Sequence, residues 1–155
     1  PTFFKQERIG KNGKPFVLYK FRSMYIDAEK NGPNLSVKDD PRITPFGRFL
    51  RKTKLDEIPN FINVLKGDMS LVGPRPERQY YIDQIVKICP TYKQLQKIKP
   101  GVTSLGQVRY GYASSVDEMI SRMKFDLLYM QNMSLSFDFL IIYYTIIILF
   151  RGRHI

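Results

Sequence analysis

The sequence predicts an α+β fold, a small N-terminal β-hairpin packed with several short helices. Three observations carry this. Two strand-like runs, residues 2–9 and 15–21, flank Lys11-Asn12-Gly13-Lys14. Asn-Gly between such runs favours a tight hairpin, because both residues accept positive φ. Ile58, Phe61, Ile62 and Leu65 then recur at i, i+3, i+4 and i+7, one face of a helix. A longer stripe of Val116, Met119, Ile120, Met123, Leu127 and Met130 repeats with the same period.

In chain order, the second strand closes in Lys20-Phe21-Arg22-Ser23-Met24, and residues 31–40 have the Gly, Pro, Asn and Asp content of a loop. Asp40-Pro41 and Thr44-Pro45 mark entry to a helix whose inner face is Phe46, Phe49, Leu50 and Thr53. Arg48, Arg51, Lys52 and Lys54 point outward or toward the acidic pair Asp56-Glu57. The next helix takes Pro59 in its first turn and stops at Gly67. Residues 77–88 read as a helix with Tyr80, Tyr81, Ile85 and Ile88 apolar, and 92–98 as a shorter one. Residues 107–110 look extended. Ser115-x-x-Glu118 is a capping-box pattern, starting a helix over 116–133. A methionine stripe there is core rather than a cofactor box, and Asp126 lies off it. Phe139 to Phe150 is uncharged, and a helix of that length reaches only about 18 Å, too short for a bilayer core. It suits a buried element or a membrane interface, with Arg151 and Arg153 facing headgroups.

At 155 residues the chain reads as one domain, 1–155, long enough for a real core. Opening on Pro1 without a leader, it reads as a piece of a longer protein. Net charge is +11, and ten of those eleven come from two segments. Residues 1–22 carry six bases against Glu7, and residues 42–54 carry five bases and no acid. Such a field points to an anionic partner: nucleic acid, phosphoester or acidic lipid surface. The single Cys89 excludes an internal disulfide and reads as a small buried residue. The single His154, beside the terminus among arginines, leaves no Cys/His metal cluster and no Ser-His-Asp triad.

The chemistry concentrates at Leu55-Asp56-Glu57-Ile58-Pro59-Asn60. Two carboxylates ahead of a helix fall at or near its N-terminus, where exposed N–H groups and the macrodipole favour the ionised form. By itself this pattern is an N-cap acid. Two neighbours alter that: the basic segment 42–54, and Gly73-Pro74-Arg75-Pro76 downstream, which holds an arginine between prolines. A guanidinium so fixed can clamp two phosphate oxygens, although a rigid turn accounts for the prolines alone. Arg51 lies near enough to bear on the same pocket.

Three stretches resemble a known family. The Leu55–Asn60 motif, the run from Asn63 through Gly73-Pro74-Arg75-Pro76, and Lys99-Pro100-Gly101-Val102-Thr103-Ser104-Leu105-Gly106-Gln107-Val108 look like the bacterial sugar transferases. These are the monotopic phosphoglycosyl transferases that start glycan assembly on a polyprenyl phosphate. The match runs from Phe3-Phe4-Lys5-Gln6 through Asp126. The resemblance implies a peripheral membrane-associated catalytic domain at the cytoplasmic face of the bacterial inner membrane, closed by a helix. Full-length members carry a membrane-embedded segment upstream of where this chain starts.

The resemblance also assigns roles. Asp56 becomes the nucleophile, and Glu57 orients the site or helps hold the ion. Asp56 and Glu57 would be the protein ligands of Mg²⁺, a cation content with few carboxylates plus substrate phosphates. The resemblance would make Lys20 a phosphate-facing charge, and with Arg51, Arg75, Arg109 and Asp126, taken from their own positions, Lys20 completes the expected substrate- and phosphate-binding set. Many members continue Asn-Gly where this chain has Arg109-Tyr110, which leaves the sugar open. The implied partners are a UDP-sugar, a polyprenyl phosphate and the membrane surface, with no nucleic acid.

Two other classes compete. A nucleic-acid-binding module would suit a pI near 9.8 and the Tyr and Phe content, but no zinc-finger, helix-turn-helix or RRM motif is present. The acidic pair among the bases would also repel a phosphate backbone unless a metal intervened. A membrane-surface scaffold without chemistry would rest on the C-terminal run alone.

Overall fold

The computed structural model describes residues 1–30, 32–37 and 39–150. Arg151, Arg153 and His154 lie outside the described residues. Strands β1 (Phe3–Ile9) and β2 (Pro15–Phe21) pair antiparallel, from Phe3 opposite Phe21 to Ile9 opposite Pro15. Asn12 and Gly13 take the positive φ the sequence calls for, 58° and 72°. They sit in a single 3-10 turn that Gly10 N–H closes on Lys14 O at 2.8 Å.

Helix α1 (Pro45–Lys52) begins where Thr44 Oγ1 accepts from Gly47 N–H at 2.9 Å. The face that turns inward is not the one expected. Gly47 and Leu50 are buried, whereas Phe46, Phe49 and Thr53 are exposed. Gly47 lies so close to the Ser23 carbonyl that any side chain there would collide with it. Helix and strand end therefore meet backbone to backbone, leaving the two phenylalanines on the outside.

Helix α2 (Asn60–Leu65) departs from expectation in the same sense. Its apolar stripe, Ile58, Phe61, Ile62 and Leu65, is exposed, and Leu65 reaches 89%. Asn60 and Asn63 are the buried residues. The cause is a polar tie: Asn63 bonds the backbone of β2, so the amide face turns inward.

Strands β3 (Ser70–Val72) and β4 (Gly101–Thr103) form a parallel pair that the sequence did not announce. The crossover between them holds α3 (Gln79–Ile88) and a 3-10 stretch, Pro90–Lys97. Residues 92–97 are therefore 3-10 rather than α-helical, and Ile98 is extended. On α3, Tyr81, Ile82 and Ile85 are buried, while Tyr80 and Ile88 are exposed against expectation. Residues 107–110 are not extended. They belong largely to α4 (Leu105–Arg109), which Ser104 caps by accepting from Gln107 N–H at 3.0 Å.

Helix α5 (Val116–Gln131) starts at Ser115 as the capping pattern predicts, with Ser115 Oγ accepting from Glu118 N–H at 3.2 Å. Met119 and Met123 join Ile9, Tyr81, Ile82, Ile85, Tyr92, Leu95 and Ala113 in the larger core. Cys89 is half-buried against this cluster, not fully inside it. A smaller core joins Val72, Leu105, Tyr129 and Ile141. Ile141 comes from α6 (Leu135–Phe150), the C-terminal helix, apolar on nearly every side and buried at Ile141 alone. Among the described residues no helix is long and apolar enough to cross a membrane.

Candidate active site

Lys54 adopts a left-handed conformation, φ 58°, and turns the chain out of α1 into a single 3-10 turn, Leu55–Glu57. The acidic pair lies on this turn rather than at the N-terminus of α2. That separates two neighbours in sequence. Asp56 is buried, 6% exposed, and Glu57 opens toward β2.

Glu57 gathers the bases. Its Oε1 lies 2.5 Å from Lys20 Nζ and 3.9 Å from Arg75 Nη1. Lys20 comes from β2. Arg75 comes from the loop after β3, half-buried between the buried prolines Pro74 and Pro76. This loop is held by paired backbones: Gly73 N–H donates to Thr103 O at 3.1 Å and Gly101 N–H to Pro74 O at 3.0 Å. Gly73 and Gly101 approach so closely that neither tolerates a Cβ. The two glycine-proline motifs of the sequence are therefore one structure, and its product is a fixed Arg75.

Burial acts to raise the Glu57 pKa, but the charges of Lys20, Lys54 and Arg75 hold it well below the usual carboxylate range. Asp56 goes the other way. Burial, with Glu57 beside it, pushes its carboxyl up, against the opposing charges of Lys20, Lys54 and Arg51. The expected N-terminal helix field is not what governs Asp56, because the residue is neither on α2 nor solvated. Among the described residues Asp56 Oδ1 has no hydrogen-bond partner. Burial also lowers the Lys20 pKa, partly countered by Glu57.

The other sequence candidates divide. Arg51 donates to Ser23 Oγ at 2.8 Å and Ser36 Oγ at 3.0 Å, bracing the loop before α1 while its charge still bears on Asp56. Asp126 is buried, and its Oδ1 accepts from Gly106 N–H at 2.8 Å. Asp126 thus fastens α4 to α5. Burial pushes its pKa up to about 6, against the Gly106 N–H, the Arg122 charge and the nearby Ser104 and Arg75 backbone. Arg109 packs over the Tyr144 ring of α6 at 5.5 Å.

Sequence reasoning did not single out the buried ion network behind the site. Glu77 takes Arg122 at 2.5 Å and Arg8 at 3.4 Å, joining β1, α5 and the Arg75 loop. Nor did it find Asn63, which is fully buried and bonded to β2. Two asparagines, Asn60 and Asn63, spaced i and i+3 on a short and mostly apolar helix were the available signal.

No group of three or more His, Cys, Asp or Glu gathers as a metal cluster among the described residues. Mg²⁺ accepts less than that: one or two carboxylates, the remaining positions going to water and phosphate oxygens. The unpartnered Asp56 oxygen beside Glu57 meets that modest requirement.

Comparison with known proteins agrees with the resemblance. The family model described as bacterial sugar transferase matches residues 1–152. The chain is similar to UDP-N-acetylgalactosamine-undecaprenyl-phosphate N-acetylgalactosaminephosphotransferase of Aeromonas hydrophila, 41% identical over 98% of this chain and 36% of that protein. It is 40% identical to UDP-glucose:undecaprenyl-phosphate glucose-1-phosphate transferase of Escherichia coli K12, over 98% of this chain and 32% of the other. Undecaprenyl-phosphate galactose phosphotransferase of Salmonella typhimurium is 39% identical over 97% of this chain and 34% of its own length. The chain therefore spans about a third of the length of these relatives, and their names carry three different sugars.

Proposed function

The chain belongs to the bacterial sugar transferase family, and from that premise we propose that it is a phosphoglycosyl transferase domain that moves a sugar-1-phosphate from a UDP-sugar to a polyprenyl phosphate of the undecaprenyl type. One observation supports this most directly: Glu57 lies between Lys20 and Arg75, while the adjacent Asp56 keeps a buried oxygen without a partner. Fixed cations beside a free carboxylate oxygen are what attack on a diphosphate requires.

In the proposed first half-reaction, a carboxylate oxygen of Asp56 attacks the β-phosphorus of the UDP-sugar. The new oxygen–phosphorus bond replaces the bond to the bridging oxygen, which leaves on UMP with its electron pair. The sugar phosphate is then an acyl phosphate on Asp56. In the second, an oxygen of the polyprenyl phosphate attacks that phosphorus and releases the Asp56 carboxylate. Arg75 holds two phosphate oxygens through its fork, and Lys20 adds a point charge. Mg²⁺ held by Asp56 and Glu57 would supply neutralisation of phosphate charge. Glu57 gathers Lys20 and Arg75 at one carboxylate oxygen and so holds them in place.

The acceptor is a lipid, so we place the domain at a membrane surface, the cytoplasmic face of the inner membrane. The exposed apolar residues of α1, α2 and α6 support this.

The test is incubation with a panel of UDP-sugars carrying ³²P at the β-phosphate, with Mg²⁺ or with chelator. Mg²⁺-dependent UMP release with label retained on the protein is expected. Turnover requiring both substrates at once, with no labelled protein, rules out the covalent route.

A further inference from the structure

Asn63 lies on α2 with its side chain fully buried against the outer edge of β2. Among the described residues the hairpin has only two strands, so the β2 groups facing away from β1 have no strand to pair with. Asn63 takes that place with one amide. Its Nδ2 donates to Val17 O at 2.7 Å, and its Oδ1 accepts from Tyr19 N–H at 3.2 Å. The amide's orientation is dictated, since Val17 O needs a donor and Tyr19 N–H an acceptor. The main chain of Asn63 works as well. Its carbonyl accepts from Asp68 N–H at 3.0 Å and Met69 N–H at 3.2 Å, turning the chain toward β3 and the Arg75 loop.

Lys20 is the residue after Tyr19, and Glu57 stands on the 3-10 turn that leads into α2. A closed circuit results, from Asn63 to Tyr19, along β2 to Lys20, across to Glu57 and back through the chain to Asn63. A slip of β2 by one residue would shift Lys20 by about 3.3 Å and turn it to the other face. The displacement exceeds the Lys20–Glu57 separation itself. An amide offers donor and acceptor on one short planar group, and Gln is a methylene too long for the same reach.

From this juxtaposition of Asn63, the β2 edge, Lys20 and Glu57 we propose that Asn63 is a positioning residue of the active site. It sets the register of β2 on α2 and so seats Lys20 against Glu57. Its bearing on catalysis rests on the transferase reading above. Its bearing on Lys20 does not.

The test pairs reactivity with kinetics. Lys20 in wild type, Asn63→Ala and Asn63→Asp is labelled with an amine reagent and followed by mass spectrometry, the exposed Lys124 serving as reference. Lys20 labelling should rise about tenfold in the variants while Lys124 stays constant. UMP release is then measured per folded molecule, well below the melting temperature. Asn63→Ala should lower kcat/KM about tenfold in the wild-type background and less than about twofold in a Lys20→Met background. Asn63→Asp keeps the Tyr19 acceptor and loses the donor to Val17 O together with the 3.4 Å contact to Asp68 Oδ2, and it serves if Asn63→Ala does not fold. Lys20 labelling as slow as wild type in a folded variant overturns the proposal, and so do losses that multiply fully with Lys20→Met. If wild type releases no UMP from any UDP-sugar, the transferase reading fails, while the labelling still decides what Asn63 does.

Discussion

Lys20 and Glu57 are 37 positions apart in sequence and meet at 2.5 Å, the contact that joins the hairpin to the acidic turn. Removing either partner alone leaves a poorly solvated charge. Lys20→Met should therefore destabilise the fold by about 2–3 kcal/mol, less than a deeper pair would, because Arg75 still faces Glu57 at 3.9 Å. Urea unfolding measures it. A change below about 0.5 kcal/mol would show the contact to be energetically idle.

Asp56→Asn should trade function for stability. Burial disfavours the Asp56 carboxylate, so its folded pKa lies above the unfolded one. A raised acid contributes stability at low pH that is lost as pH rises through the folded value. The amide carries no such penalty, so the variant should melt higher at neutral pH while UMP release falls at least about 10³-fold. A variant that still takes the β-phosphate label would remove Asp56 from the nucleophile's role.

Arg75→Lys keeps charge and loses the fork. Its loop is fixed by Gly73 and Gly101 backbones rather than by the side chain, so the fold should survive. Transfer should drop about 10²-fold, the scale of one lost transition-state donor. Activity within about twofold of wild type at matched stability would make Arg75 part of a turn and nothing more.

Asp126 should be visible as a pH-dependent stability. Its pKa is raised to about 6, so the folded state binds the proton more tightly than the unfolded chain. The contribution is complete below the unfolded value near 4 and is lost as pH rises to about 6, an integral of about 3 kcal/mol. The stability difference between wild type and Asp126→Asn should fall by that order across this window. A difference that does not vary with pH would mean that Asp126 titrates as an ordinary carboxylate.

The exposed stripe of α2 should contact lipid. Phe61→Glu and Leu65→Glu sit at exposed positions, so stability should change by no more than about 0.5 kcal/mol. Flotation with anionic vesicles should decline. Undiminished flotation would assign lipid contact to another surface.

What sequence made legible was whatever depends on near neighbours. The Asn12-Gly13 turn, the Ser115 cap, the C-terminal apolar helix and the family motifs around Asp56 and Arg75 each carry their signal within a few residues. Residues 107–110 misled although Ser104 marks the start of α4 locally, because the tie that seats the helix is distant: Asp126 reaches across from α5 to Gly106 N–H.

The sequence by itself determined the α+β class, the acidic pair, the arginine between prolines and the family. Periodicity reports that one face of a helix is apolar but not what will cover it. For α1 and α2 the tertiary structure turned those faces outward, because Gly47 admits Ser23 and Asn63 satisfies the β2 edge. The site itself was likewise decided in three dimensions. Lys20, Glu57 and Arg75 meet only when a hairpin, a 3-10 turn and a parallel strand pair have packed, and such non-local pairing leaves no period in the chain.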